Sequence, residues 1–257
     1  MSTKAPPEGT QAVIRAVGLL KAFSKERPER TLVELSDGLG LSKTTAHRLL
    51  TALESEGLVA RNPVTKTYRL GPTVLVLGSL ALISNDLRAI VEPELRGLVD
   101  RTGETATLEV PLEGYMLIVA EVMGSHLVTV TAELGTRWPI HATSTGKAFL
   151  AVLPADERRR LLKPPLRRLT PSTIVDIDVF DAELELVRQQ GYATAHEEIE
   201  IGASAVGTVV RDAHGTPVAG ISFGGPTSRL TAPRVKDLAR ELMAVAERLA
   251  PQVHSMG

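Results

Sequence analysis

The stretch Leu35-Ser36-Asp37-Gly38-Leu39-Gly40-Leu41-Ser42-Lys43-Thr44-Thr45-Ala46-His47-Arg48-Leu49-Leu50 decides how this chain is read. Leu35 and Leu39 stand one helical turn apart, and Gly38 and Gly40 then break the helix. The Ser42 hydroxyl is placed to cap a second helix by accepting from an otherwise orphaned amide. Ala46, Leu49, Leu50 and Leu53 give that helix one apolar face, and Lys43, Thr44, Thr45, His47 and Arg48 crowd its first turns with hydrogen-bond donors. Two short helices joined by a tight glycine turn, the second polar at its front end, make a helix-turn-helix. An ordinary helical hairpin with a solvated face shares the periodicity, and the turn chemistry favours the DNA-reading arrangement.

Downstream, Gly57 is placed as a C-terminal cap. Leu58–Arg61, Asn62–Thr65 and Lys66–Leu70 then read as strand, turn and strand, a basic hairpin of the kind called a wing. Upstream, Thr31 and Glu34 form a capping box. Gln11 to Phe23 reads as a helix with Val13, Val17 and Leu20 on one side and Ile14 beside them. Residues 11–70 are therefore expected to form one winged helix-turn-helix domain behind a disordered tail, residues 1–10. Ser42, Lys43, Thr44, Thr45, His47 and Arg48 are its candidates for double-stranded DNA. Arg48 and Lys43 suit guanine or phosphate, with a surface salt bridge as the other reading of Arg48. Lys66, Tyr68 and Arg69 on the wing suit positioning rather than base reading.

Charge supports this division. The chain holds 29 basic and 30 acidic residues, but residues 1–70 hold 11 basic against 7 acidic. A mildly basic front joined to an acidic remainder fits a nucleic-acid domain attached to one that stays off DNA. With no cysteine there is no disulfide framework, thiolate metal site or cysteine nucleophile. The start lacks the apolar run of a signal peptide, and the longest apolar stretch is too short to span a bilayer. A soluble, cytoplasmic and nucleoid-associated protein is expected, with no membrane partner.

Residues 73–84 are almost wholly apolar, and a helix apolar around most of its surface calls for burial. It reads either as a linker helix (71–86) packed against a second subunit or as a core helix of the larger domain. Residues 87–257 mix helices with short strands at Ala106–Val110, Met116–Val122, Leu127–Val130, Ala205–Arg211 and Pro217–Phe223. Helices are expected from Thr145 or Gly146 to Leu153, over Asp156–Leu162 and Asp181–Gln190, and from Ala232 to Leu249. The fold class is α+β with a largely antiparallel sheet.

Five blocks carry a family resemblance: Leu41–Leu50, Tyr68–Gly71, His141–Ala151, Gly191–Ala193 with Glu197–Gly202, and Gly220–Leu230. In this order, over about residues 11–250, the chain resembles the IclR-type bacterial transcriptional regulators. The resemblance implies an N-terminal winged helix, a linker helix and a GAF-like effector-binding domain. It also implies homodimers, or dimers of dimers forming homotetramers, on palindromic operators; a repressor is expected ahead of an activator, although operator position relative to the promoter decides between them. Family members place small organic acids or aromatic ligands beside the third block.

Within that block, Thr143-Ser144-Thr145-Gly146-Lys147 between a strand and a helix reads as an anion cradle. It is no P-loop: His141 stands at the first glycine position and Ala148 at the magnesium-binding hydroxyl. The resemblance carries ligand contact onto Ser144, Thr145, Ser222 and Gly224. Gly224 lacks the hydroxyl or thiol of several relatives, which leaves room for more than a two-carbon acid. Thr143, Gly146, Tyr192, His196 and Ala205 are further candidates for the effector wall, and Trp138 for the way in. His196-Glu197-Glu198 lacks the paired spacing of a metal site. No cofactor and no catalytic residue is expected. An enzyme that turns over its ligand and a constitutive architectural DNA binder are the rival classes.

Overall fold

The computed structural model describes residues 7, 9–24, 26–83, 86–130 and 133–253. The chain divides into two compact units, residues 1–84 and 85–257.

The first unit runs α1 (Gln11–Lys21), β1 (Glu29–Arg30), α2 (Leu32–Gly38), α3 (Lys43–Ser55), β2 (Val59–Arg61), β3 (Tyr68–Leu70) and α4 (Pro72–Ile83). Of the tail expected at residues 1–10, residues 1–6 and 8 lie outside the described residues. The Thr10 hydroxyl donates to the Pro7 carbonyl at 2.7 Å. The capping box at α2 is complete: Glu34 N–H donates to Thr31 Oγ1, and Thr31 N–H donates to Glu34 Oε2 at 2.8 Å. Ser42 caps α3 by accepting from the Thr45 amide at 3.2 Å. Between the helices Gly40 takes φ +62°, a left-handed turn that a side chain would strain.

Leu19, Phe23, Leu35, Leu50, Leu53, Val59 and Tyr68 close the core of this unit. The apolar side of α1 differs from expectation. Leu19 is buried and Ala16 and Leu20 pack beside it, while Val13, Ile14 and Val17 are exposed. Two neighbouring helices and a hairpin cover only one narrow stripe of α1. On α4, Leu75 (76% exposed), Val76, Leu77 and Leu80 are open to solvent in the single chain. The helix is therefore no buried core element of this unit.

The second unit runs α5 (Asp86–Thr102), β4 (Thr105–Leu112), β5 (Tyr115–Val122), β6 (Arg137–Pro139), α6 (Ser144–Val152), α7 (Ala155–Leu161), α8 (Ile177–Gln190), β7 (Ala193–His196), β8 (Ala203–Arg211), β9 (Pro217–Pro226) and α9 (Ala232–Leu249). The six strands form one sheet in the order β6-β5-β4-β9-β8-β7, every neighbouring pair antiparallel. One face buries Leu108, Val206, Ile221 and Phe223 against α5 and α9. The other receives α6, behind which Phe149, Leu150, Phe180 and Leu184 make a second core.

Two expectations fail here, and strands β6 and β7 were not expected. Leu127–Val130 is no strand, and Leu127 and Val128 both lie in solvent, with nothing for a period-two pattern to bury against. The sheet edge is β6 instead. Strand β7, built of small residues, carries no hydrophobic alternation to announce it. Helix α8 begins four residues before the expected Asp181, because Asp176 Oδ1 caps it by accepting from the Asp178 and Val179 amides.

Candidate functional site

In the first unit, the buried side of α3 orients the exposed one. Ala46, Leu50 and Leu53 are buried, so Lys43, Thr44, His47 and Arg48, spaced at i, i+1, i+4 and i+5, stand together in solvent. Ser42 and Thr45 are partly committed to the cap, their hydroxyls 2.9 Å apart. On the hairpin Arg61, Lys66 and Arg69 are exposed. Tyr68 is not: at 3% exposure its ring lies in the core, with the Arg61 guanidinium 5.6 Å from its centroid. A strand alternates its faces, so if Arg69 points out then Tyr68 points in. Strand β1, which no sequence pattern announces, brings a carboxylate to the wing: Thr67 Oγ1 donates to Glu29 Oε2 at 2.6 Å.

In the second unit, a cavity of about 90 Å³ opens on the α6 side of the sheet. Its floor follows register. Thr105 pairs with Gly224, Gly224 with Ala205 and Ala205 with Ala195, while Thr107 pairs with Ser222. Thr143 and Ser144 enter from the start of α6, and Ile118, Val130, Trp138 and Ile199 add apolar wall. Glycines let α6 sit flush on the strands: a Cβ at Gly207 would meet Ser144 Oγ at 2.8 Å, and one at Gly220 would meet Thr145 Cβ at 2.7 Å. The structure thus gathers Thr143, Ser144, Ala205, Ser222 and Gly224 in one place.

Four candidates fall elsewhere. Thr145 is wholly buried and turned into the sheet, where its hydroxyl donates to Glu109. Gly146 is packing, since a Cβ there would lie 2.0 Å from the Ile140 carbonyl oxygen. Tyr192 and His196 line a neighbouring groove with Thr194, Ser204 and the start of α9, which shares Ala195 and Ala205 with the cavity. The alternation of β7 puts Ala193 and Ala195 on the α6 side and their even-numbered neighbours on the other.

One buried charged group, Glu109, joins the site without having been expected there, whereas Lys147, part of the expected anion cradle, does not line the cavity. Glu109, 6% exposed, reaches the cavity from β4. Thr145 donates to its Oε2 at 2.6 Å, and Thr107 and Ser222 hydroxyls lie 3.0 and 3.2 Å from its Oε1. Burial raises its pKa above the ordinary 4.5, against the pull of these hydroxyls. Lys147, 1% exposed, donates to Glu198 at 2.6 Å and Glu183 at 3.2 Å. Burial likewise raises Glu198, and Lys147 opposes the shift. An acidic or basic residue inside a period-two or helical apolar pattern is the sequence signal that marks both.

A winged helix with a polar, exposed second helix, joined in one chain to a sheet domain with a small part-polar cavity, defines a ligand-responsive DNA-binding regulator. The IclR helix-turn-helix domain model matches residues 12–63, and the model of the bacterial transcriptional regulator IclR C-terminal domain matches residues 79–250. The chain belongs to the IclR family of transcriptional regulators. It is 32% identical to the transcriptional repressor IclR of Escherichia coli over 95% of this chain and 91% of that protein. It is also 32% identical to the repressor AllR of Klebsiella pneumoniae, over 95% and 93%. A crystal structure of an IclR-type regulator from Alicyclobacillus acidocaldarius superimposes with a TM-score of 0.81 at 29% identity, over 93% and 97% of the two chains. An IclR homologue from Microbacterium hydrocarbonoxydans complexed with 4-hydroxybenzoate gives 0.74 at 26% identity, over 93% and 98%. These relatives are regulators, not enzymes, and so is this chain. Among the described residues no helix is long and apolar enough to cross a membrane.

Proposed function

We propose that the protein is a repressor that binds palindromic operators as a homodimer or a dimer of dimers in the cytoplasm. A small organic acid or aromatic metabolite in the cavity beneath α6 sets its operator affinity. The observation that carries this reading is the α3 face of Lys43, Thr44, His47 and Arg48, held outward by the buried side of the same helix. Lys43, Arg48, Thr44 and His47 reach base edges and phosphates, with Ser42 and Thr45 at the helix front, while Lys66 and Arg69 hold the wing on the backbone. The exposed apolar residues of α4 suit contact with a second copy of the chain. The ligand acts by binding one of two states of the DNA-reading heads more tightly than the other.

The repressor names of the Escherichia coli and Klebsiella relatives and the aromatic acid held by the Microbacterium homologue support this reading. Residues 11–70 serve as the DNA domain, 71–86 as the linker and 87–257 as the effector domain. The test is genomic footprinting of the purified protein, then titration of the best fragment with candidate metabolites. A discrete palindromic site whose affinity one compound changes is expected. Salt-sensitive binding everywhere without a preferred site, or an affinity no compound alters, would overturn it.

A further inference from the structure

We infer that the second unit carries a second ligand site, the groove on the α9 side of the sheet, and that it takes a small organic anion. The site lies outside the cavity beneath α6 and stands whether or not that cavity holds the effector.

The groove has a volume of about 410 Å³, against about 90 Å³ for the cavity beneath α6. Small-molecule sites usually span roughly 300–1,000 Å³, and the groove falls in that range. Strands β7 and β8 and the start of α9 form its walls, and Ala195 and Ala205 border both spaces. Short side chains at Ala195, Ala205 and Ala232 leave the volume open, and Leu230 and Val235 supply an apolar side.

The charge of the groove has one sign. Lys236 and His196 line it, and no carboxylate does. The other cations of α9 are engaged within the chain: Arg234 donates to the Thr102 carbonyl, Arg240 to Asp237 and Arg248 to Glu94. Lys236 has no such partner among the described residues, so its ammonium is left for a group from outside. His196 is fixed from behind. Its Nδ1 lies 3.2 Å from Ser204 Oγ, and Ser204, only 7% exposed, lies 2.9 Å from Thr227 Oγ1. If Thr227 donates to Ser204 and Ser204 to Nδ1, the neutral ring carries its proton on Nε2. If the chain runs the other way, the Thr227 hydroxyl keeps a free proton. Either direction leaves a donor at one end, and both ends belong to the lining. A carboxylate offers two acceptor oxygens to this donor and to Lys236, while a ligand cation would face Lys236 with nothing to balance it.

2-Naphthoate and 2-naphthylmethanol are matched probes, alike in ring system and different in charge. In titration calorimetry of the full-length chain near neutral pH, the naphthoate is expected to bind about tenfold tighter than the alcohol, the worth of one hydrogen bond to a charged group. Lys236→Met is expected to bring the two probes to equal affinity, and Lys236→Arg to keep the preference. Lys236 is exposed and unpaired, so both variants keep the fold. His196→Gln, at another exposed position, is expected to weaken the naphthoate and leave the alcohol unchanged. Neither residue lines the cavity beneath α6, so binding there would be blind to all three substitutions. No binding of naphthoate to the wild type, equal affinity of the wild type for both probes, or an unchanged preference in Lys236→Met would overturn the inference. Each of those results leaves the effector reading of the other cavity untouched, because that reading is tested by operator titration.

Discussion

Lys147 Nζ lies 2.6 Å from Glu198 Oε1 with both side chains almost wholly buried. The pair ties α6, at the cavity, to the segment that follows β7. Removing one member leaves an uncompensated charge in the interior, whereas removing both does not. Lys147→Met is expected to cost about 3–5 kcal/mol, and Lys147→Met combined with Glu198→Leu to recover most of it. Urea unfolding followed through the second unit checks both values. Equal losses in the single and double variants would refute the pairing.

Glu109 makes stability depend on pH in the opposite sense from a salt-bridged acid. Its folded pKa is raised by burial, so below about pH 4.5 it is protonated in both states and costs nothing. As the pH rises, the unfolded chain ionises first, and stability falls until the folded pKa is passed. Glu109→Gln is therefore expected to raise the melting temperature near neutral pH, with the difference vanishing toward pH 4.5. Thermal melts of the two proteins across that range measure it.

The two faces of the wing give opposite outcomes on DNA. Arg69→Ala and Lys66→Ala are expected to weaken binding to all sequences alike. Each should also lower the salt slope by about one, because one phosphate is no longer neutralised. Tyr68→Phe is expected to leave affinity unchanged, because the ring is core. Tyr68→Ala should cost about 3–5 kcal/mol of stability, the range for emptying an aromatic site. Arg48→Ala should relax sequence preference as well as weaken binding. Fluorescence anisotropy at several salt concentrations distinguishes these results.

Gly146→Ala tests the seating of α6. Alanine improves helix propensity by about 1 kcal/mol. Here its Cβ would stand 2.0 Å from the Ile140 carbonyl oxygen and 2.6 Å from Thr143 Oγ1, the atom that caps the helix. Overpacking of this kind typically costs about 1–3 kcal/mol, so net destabilisation is expected in thermal melts. A more stable variant would mean that α6 can slide off the sheet without penalty.

Local chemistry determined the reading of the first unit. The capping box at Thr31, the Ser42 cap, the left-handed turn at Gly40 and the apolar spacing of Ala46, Leu50 and Leu53 lie within a few residues of what they organise. The order of the five family blocks did the same for the fold as a whole. Side of sheet and choice of partner were decided only in three dimensions. Tyr192 and His196 flank the quoted family blocks, yet they line the neighbouring groove, His196 because the alternation of β7, set by pairing with β8, turns it away from the α6 side. Glu109 and Thr145 are separated by 36 residues, and nothing near either one announces the other. Hydrogen bonds inside a turn are written in consecutive residues; the charge balance of a cavity depends on which strands become neighbours, and that is a property of the folded sheet.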